Sequence, residues 1–175
     1  GEQGRAERQG TRADRIVVMD GGRIGIFGWS YGGYMTAMLL AKASSEVAGG
    51  AAVAPVIDWS LYDTAYTERY LDTPQNNPQG YELSGVLHWL DGLTSPLLLI
   101  HGALDSVTLS QSEAMYSALF RQGKDALLAT YWGEAHAPTS PGDVRDVYAR
   151  TLAFLAARLK SRLRDVPPSR NPDNG

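Results

Sequence analysis

Short apolar runs alternate with helix-forming segments along most of this chain. The apolar runs predict buried strands at 24–27, 49–54, 96–101 and 126–132. The helical patterns lie at 34–42, 84–93, 109–122 and 144–163. The run at 96–101 is the clearest strand, because it is apolar up to its last residue, as is typical of a parallel strand covered on both faces. Strands that alternate with helices predict an α/β fold with a mostly parallel sheet and flanking helices.

Aromatic residues recur at helical spacing between the second and third predicted strands. Trp59, Tyr62, Tyr66 and Tyr70 would share one face of a helix that spans 58–70. We expect Tyr70 to pack against the sheet. The stretch 71–80 contains prolines and asparagines and predicts a loop.

Three segments are expected along the chain: a flexible leader at 1–15, a folded domain at 16–164 and a disordered tail at 165–175. The apolar residues 16–19 are followed by an Asp-Gly-Gly turn signal, which locally predicts a hairpin with 23–27. A different expectation places the strand 24–27 inside the sheet, between parallel neighbours. The sequence leaves both open.

Composition narrows the class of protein. The chain has 175 residues, a formal net charge of −3 and no cysteine. No basic face is available for nucleic acid, and disulfides, thiolate catalysis and cysteine-bound zinc are excluded. No apolar run reaches the roughly 18 residues of a membrane span, so we expect a soluble protein. The chain carries no signal peptide and does not begin with Met, which predicts a fragment of a longer parent in an undetermined compartment, such as the bacterial periplasm or cytoplasm.

The motif Gly-Trp-Ser-Tyr-Gly at 28–32 stands between a predicted strand and a predicted helix. This context fits the Gly-x-Ser-x-Gly turn that presents a nucleophilic serine, here Ser30. We expect Gly28 and Gly32 to lie where a Cβ would collide with a neighbour. The amide of Tyr31 would be one donor to an oxyanion. The alternative is a chance match in a glycine-rich chain.

Ser30, Asp105 and His136 each follow a predicted strand, in the chain order of α/β-hydrolases. Loops at the carboxyl edge of a parallel sheet can bring such side chains together. Serine needs a base to remove its proton, and aspartate orients the imidazole that does so. His101 and His88 are the competing bases. We interpret His101 as packing or hydrogen-bonded support and His88 as a surface residue.

Four motifs together resemble the prolyl oligopeptidase family of serine peptidases. They are Gly-Trp-Ser-Tyr-Gly-Gly-Tyr at 28–34, Ala-Pro-Val at 54–56, the aromatic segment at 59–70 and His-Gly-x-x-Asp at 101–105. The Tyr-Thr-Glu-Arg-Tyr stretch at 66–70 is similar to the dipeptidyl peptidase IV branch. The resemblance implies a partial α/β-hydrolase domain with an acyl-enzyme on Ser30 and the triad named above. It implies release of X-Pro, and less readily X-Ala, dipeptides from peptide amino termini, without cofactor or metal.

The resemblance also implies a pocket for the proline ring. Its wall residues would be Tyr31, Val56, Trp59, Tyr62, Tyr66 and Val107. A small aromatic slot suits a flat pyrrolidine ring and excludes larger side chains. The alternative is that these rings simply pack on the sheet. Relatives often form dimers, so a homodimer is also implied.

Three features depart from the family pattern. The loop after Asp105 is one residue shorter and lacks the Asn that precedes Val107 in the family. Ala137 and Pro138 follow His136 where the family usually has Gly. The resemblance implies that the family's β-propeller with its paired glutamates, the first sheet strands and the oxyanion-hole tyrosine would precede this chain. An acylaminoacyl-peptidase or esterase, and a catalytically inactive truncated remnant, are the alternatives.

Overall fold

A sheet of four parallel strands forms the centre of the computed structural model, which describes residues 24–162. The strands are β1 (Gly25–Trp29), β2 (Gly49–Val53), β3 (Leu97–Gly102) and β4 (Ala126–Tyr131). They lie side by side in chain order, and every neighbouring pair is parallel. Parallel strands require a crossover between them, and helical segments supply each one. The predicted α/β fold is confirmed.

Five α-helices lie within residues 24–162. They are α1 (Tyr31–Ala43), α2 (Thr64–Leu71), α3 (Pro78–Ser84), α4 (Leu109–Arg121) and α5 (Pro141–Arg162). Three of them, α1, α4 and α5, pack on the sheet. Shorter 3₁₀ turns lie at Ser44–Glu46, Trp59–Leu61 and Val86–Gly92. The start of α5 precedes the predicted one because Pro141 occupies its first turn, while the Ser140 hydroxyl accepts the Gly142 amide at 3.2 Å.

The core has two parts, one on each face of the sheet. Along β3, Leu97 and Leu99 belong to one cluster, while Leu98 and Ile100 belong to the other. This alternation is the period of two that a strand imposes on its side chains. The second cluster includes Phe154 of α5. A strand buried on both faces explains why the 96–101 run is almost wholly apolar.

The aromatic segment differs from the single predicted helix. Trp59 lies in a 3₁₀ turn whose cap, Asp58, accepts the Ser60 amide at 2.8 Å. A new helix then begins at Thr64, because the Asp63 side chain caps it by accepting the Tyr66 amide at 2.9 Å. Two aspartates that favour helix starts therefore divide the segment.

The predicted loop at 71–80 and helix at 84–93 are also wrong in part. Helix α3 begins inside the loop, because Pro78 suits a first turn and the Asn77 side chain accepts the Gly80 amide at 3.0 Å. That helix ends at Ser84, and Val86–Gly92 continues as a 3₁₀ turn.

In the part of the chain that the structure describes, strand β1 lies at the edge of the sheet with β2 as its one partner, so the second parallel neighbour expected for this strand is not among the described residues. Phe27, in the middle of β1, is 41% exposed. The predicted strand at 16–19, its hairpin, the leader at 1–15 and the tail at 165–175 lie outside the described residues. Within residues 24–162, no helix has both the length and the apolar character needed to cross a membrane.

Candidate active site

Ser30 occupies a tight turn between β1 and α1. Its backbone has φ 57° and ψ −119°, a conformation that residues with a Cβ rarely adopt. The turn is held because the Ser30 amide donates to the Val53 carbonyl at 2.8 Å, and the Ser30 carbonyl accepts the Tyr34 amide at 3.0 Å. Since α1 begins at Tyr31, its first amides have no partner in the helix and face the serine end.

Close backbone packing forces glycine at two positions of this turn. A Cβ on Gly28 would lie 2.0 Å from the Gly32 carbonyl oxygen, as predicted for that residue. The same prediction for Gly32 is wrong, because nothing lies within 4 Å of its Cβ position. The second crowded residue is Gly33, whose Cβ would lie 2.7 Å from the Val53 carbonyl oxygen. Helix α1 packs against β2 at this point, which explains the crowding.

Asp105 and His136 meet at the carboxyl edge of the sheet. His136 Nδ1 lies 2.9 Å from each carboxylate oxygen of Asp105. The Asp105 side chain is fully buried, whereas the His136 side chain is 41% exposed. The second ring nitrogen of His136 is thereby left for another partner. Among residues 24–162 the Ser30 hydroxyl makes no hydrogen bond, so the imidazole is oriented by the carboxylate alone.

The loop that carries His136 is fixed by bonds on both sides. The Trp29 indole nitrogen donates to the His136 carbonyl at 2.9 Å, which ties this loop to the residue before Ser30. Glu134 closes the loop by accepting the Thr139 amide at 2.8 Å, and this bond holds the pKa of Glu134 below its usual range. A Cβ on Gly102 would lie 2.2 Å from the Ala135 carbonyl oxygen, so β3 and the loop are in close contact.

His101 lies behind Asp105 and is completely buried. Its Nδ1 is 2.7 Å from the Ser112 hydroxyl, and its Nε2 is 2.6 Å from the Val107 carbonyl oxygen. Its Nε2 is also 3.4 Å from Asp105 Oδ2. Burial lowers the pKa of His101, although the Val107 carbonyl and Asp105 oppose this effect. The interpretation of His101 as packing or hydrogen-bonded support is confirmed. His88 lies at the surface, with its Nδ1 3.2 Å from a carboxylate oxygen of Glu82.

Aromatic rings beside Ser30 pack on one another. Trp59 is stacked on Tyr66 with ring centroids 5.8 Å apart and an interplanar angle of 17°. Tyr62 meets both rings edge-on. Tyr31 lies 6.1 Å from Trp59, which joins this cluster to the residue after Ser30. The expectation that Tyr70 packs against the sheet is wrong: Tyr70 is 68% exposed and contacts Tyr66.

A cavity of about 350 Å³ opens beside these rings. Of the predicted wall residues, Tyr31, Trp59 and Tyr66 line it. Val56 and Val107 lie in the hydrophobic core, and Tyr62 packs against that core. The remaining lining residues were not predicted and are Tyr34, Thr67, Tyr70, Leu71 and Ser84.

Sequence reasoning also missed Gln111, which anchors the aromatic segment. Its buried Oε1 accepts the Ile57 amide at 2.6 Å and the Asp58 amide at 2.9 Å. Gln111 Nε2 has no partner within the described part of the chain. A polar residue in the first turn of α4, beside Ser112, gives no signal of its own because such residues are common at helix starts.

Known protein families include one that matches most of this chain. The model of the prolyl oligopeptidase family matches residues 12–162. The chain belongs to this family. Human dipeptidyl peptidase 8 is 39% identical over 155 residues, which cover 86% of this chain and 17% of that protein. Bovine dipeptidyl peptidase 4 is 40% identical over 145 residues, which cover 81% of this chain and 19% of that protein.

A solved structure of the family has the same fold. The crystal structure of Porphyromonas gingivalis dipeptidyl peptidase 4 superposes with a TM-score of 0.76 at 37% identity. The match covers 79% of this chain and 20% of that one. The four parallel strands and their helices are therefore part of an α/β-hydrolase catalytic domain. The chain spans about a fifth of the length of the relatives it matches.

Proposed function

We propose that this chain carries the catalytic centre of a serine peptidase that cleaves after proline. The observation that carries the proposal is the pairing of His136 Nδ1 with both oxygens of a buried Asp105, at 2.9 Å each. Ser30 supplies the nucleophile from its strained turn. These are the parts that acyl transfer by a serine requires, and membership of a peptidase family supports the reaction type.

The reaction follows from the bonds that each group can make. Ser30 Oγ attacks the scissile carbonyl carbon while His136 Nε2 takes the hydroxyl proton. The carbonyl oxygen becomes an oxyanion and accepts the Tyr31 amide at the start of α1. His136 then gives its proton to the leaving amine as the C–N bond breaks. Water attacks the resulting ester by the same route in reverse, which releases the acid and restores Ser30.

The aromatic cavity supports the preference for proline. Trp59 and Tyr66 stack, so they form a flat, rigid surface beside the nucleophile. A pyrrolidine ring can lie against such a surface with little loss of conformational freedom. Tyr62, Val56 and Val107 do not line this cavity. They are proposed to hold its wall in place, because they belong to or pack against the same core cluster as Trp59. The preferred substrate is a peptide with proline, or less readily alanine, at its second position.

A test of the chemistry uses the 175-residue chain. A fluorophosphonate probe is expected to label Ser30, and Ser30→Ala is expected to abolish labelling. Ser110→Ala is the control, because Ser110 lies exposed in the first turn of α4 and its hydroxyl bonds only to the Thr108 hydroxyl. Labelling that persists in Ser30→Ala would overturn the assignment.

Substrate class is tested by turnover. Gly-Pro-anilide is expected to be cleaved faster than an acylated amino-acid anilide or a short ester. Preference for the acylated substrate would favour an acylaminoacyl-peptidase, and preference for the ester would favour an esterase.

A second candidate is a catalytically inactive remnant. It is favoured by the Ser30 hydroxyl, which makes no hydrogen bond among residues 24–162. Serine-dependent turnover of Gly-Pro-anilide by this chain would exclude it. Full-length relatives are about five times longer, so for the parent protein we propose a β-propeller that binds the substrate amino terminus, and a homodimer.

A further inference from the structure

We propose that His101 is a positioning residue for Asp105, held in one neutral tautomer by the Val107 carbonyl and the Ser112 hydroxyl. The proposal rests on the proposed function, because it assigns a role within the same catalytic centre. His101 would not touch the substrate. It would fix the loop 102–107, which presents the carboxylate to His136.

Hydrogen-bond chemistry fixes the tautomer of His101. The Val107 carbonyl oxygen can only accept, so the hydrogen on His101 must lie on Nε2, at 2.6 Å from that oxygen. Nδ1 is then an acceptor, and the Ser112 hydroxyl donates to it at 2.7 Å. Ser112 is itself fully buried in α4. The imidazole is therefore satisfied at both nitrogens without any charge.

The same imidazole closes the loop that follows it. The loop leaves β3 at Gly102, and its last residue, Val107, returns its carbonyl to the His101 ring. The Val107 amide donates to Asp105 Oδ1 at 2.8 Å, so one residue joins the ring to the carboxylate. His101 Nε2 faces the other oxygen, Oδ2, at 3.4 Å. The carboxylate that faces His136 is thus also contacted by Val107 and His101.

Neutrality matters for the reaction. Burial lowers the pKa of His101, so the ring carries no charge near neutral pH. A cation at this place would compete with the His136 imidazolium for the charge of Asp105. A neutral ring holds Val107, whose amide orients the carboxylate, and leaves the charge of Asp105 available to His136.

Two variants separate positioning from simple packing. Ser112→Ala removes the hydroxyl that donates to His101 Nδ1, and Ser112 lies on α4. His101→Gln keeps an amide donor near the Nε2 position and loses the acceptor for Ser112. Ser110→Ala is the matched control, since it removes an exposed hydroxyl two residues earlier on the same helix. Thermal unfolding of each variant identifies any that fails to fold.

The experiment measures two quantities on the 175-residue chain. The first is the rate at which a fluorophosphonate labels Ser30. We expect Ser112→Ala to slow it about tenfold and His101→Gln about 10- to 100-fold, because small errors in position are costly to catalysis. The second is the far-downfield proton resonance of the His136–Asp105 hydrogen bond, with ¹⁵N shifts that report the tautomer of His101.

The outcomes separate this proposal from the proposed function. A neutral His101 protonated on Nε2, together with a His136 resonance that is lost or shifted in both variants and unchanged in Ser110→Ala, supports the positioning role. If wild-type chain fails to react with the probe, the proposed function fails, and the resonances still test His101. Folded Ser112→Ala and His101→Gln chains with an unchanged His136 resonance would overturn the positioning role.

Discussion

The two halves of the candidate site are held by different kinds of interaction. Asp105 and His136 are oriented by directional hydrogen bonds that reach into buried backbone and side-chain groups. Trp59 and Tyr66 are held mainly by contacts between rings. A hydrogen bond fixes an angle, whereas ring packing mostly fixes a distance. The acid–base half is therefore built for one geometry, whereas the aromatic half is built for one shape.

The largest expected effect follows from changing the acid–base half alone. Asp105→Asn keeps the volume of the side chain but presents the wrong hydrogen-bonding pattern to His136 Nδ1. By analogy with other serine peptidases we expect kcat to fall by about 10⁴-fold, with KM little changed. Steady-state kinetics with Gly-Pro-anilide measures this. A comparable rise in KM would show that the two halves are not separable.

Removing the centre of the aromatic half is expected to change stability and binding together. Trp59 is buried and contacts four rings, namely those of Tyr31, Tyr34, Tyr62 and Tyr66. Trp59→Ala should lower the free energy of unfolding by about 3–5 kcal/mol and raise KM for the proline substrate. Urea unfolding and kinetics provide the two measurements. Tyr70→Ala, at the exposed end of the cluster, should leave the unfolding free energy nearly unchanged.

Gln111 tests whether directional bonds also support the aromatic half. Gln111→Met keeps the length of the side chain and leaves the Ile57 and Asp58 amides without their acceptor. We expect a loss of about 1–3 kcal/mol in unfolding free energy, and a KM effect larger than the kcat effect. Gln122→Met is the matched control, because Gln122 lies at the exposed end of the same helix. Equal effects of both variants would argue against an anchoring role.

The smallest expected effect is a pH dependence of stability. The pKa of folded His101 is lowered from its ordinary 6.5, so below that value the unfolded chain binds a proton that the folded chain resists. Stability should therefore fall as pH decreases from about 6.5 towards the lowered pKa, by at most about 1.4 kcal/mol per pH unit for this residue. Asp105, His136 and Glu113 act on the ring electrostatically, so the slope is compared with that of His101→Gln. An identical slope in the variant would assign it to other groups.

Much of the sheet could be predicted because its signals are local. Strand β3 is apolar on both faces, and the turn at Ser30 has a recognisable residue pattern. The elements that were misplaced are governed by single capping residues. Asp63 and Asn77 begin helices inside segments that were predicted differently, and an aromatic repeat at helical spacing concealed the first of these.

Contacts between distant segments could not be predicted from the chain alone. The hydrogen bond from Trp29 to the His136 carbonyl joins residues 107 positions apart, and neither residue type predicts it. Gln111 and Ser112 look like ordinary polar residues of a helix start, yet each is buried and serves a different half of the site. Their roles depend on which segments of the folded chain pack against the start of α4.

The strained backbone conformation at Ser30 serves the chemistry but lowers the stability of the folded chain. A non-glycine residue at this φ costs about 1–3 kcal/mol, and glycine would relieve the cost while removing the nucleophile. Laboratory evolution that selects only for heat resistance would therefore tend to discard the chemistry at this position. Ala54, with φ 47°, offers the opposite case, because glycine there would ease the chain and leave the hydroxyl of Ser30 in place.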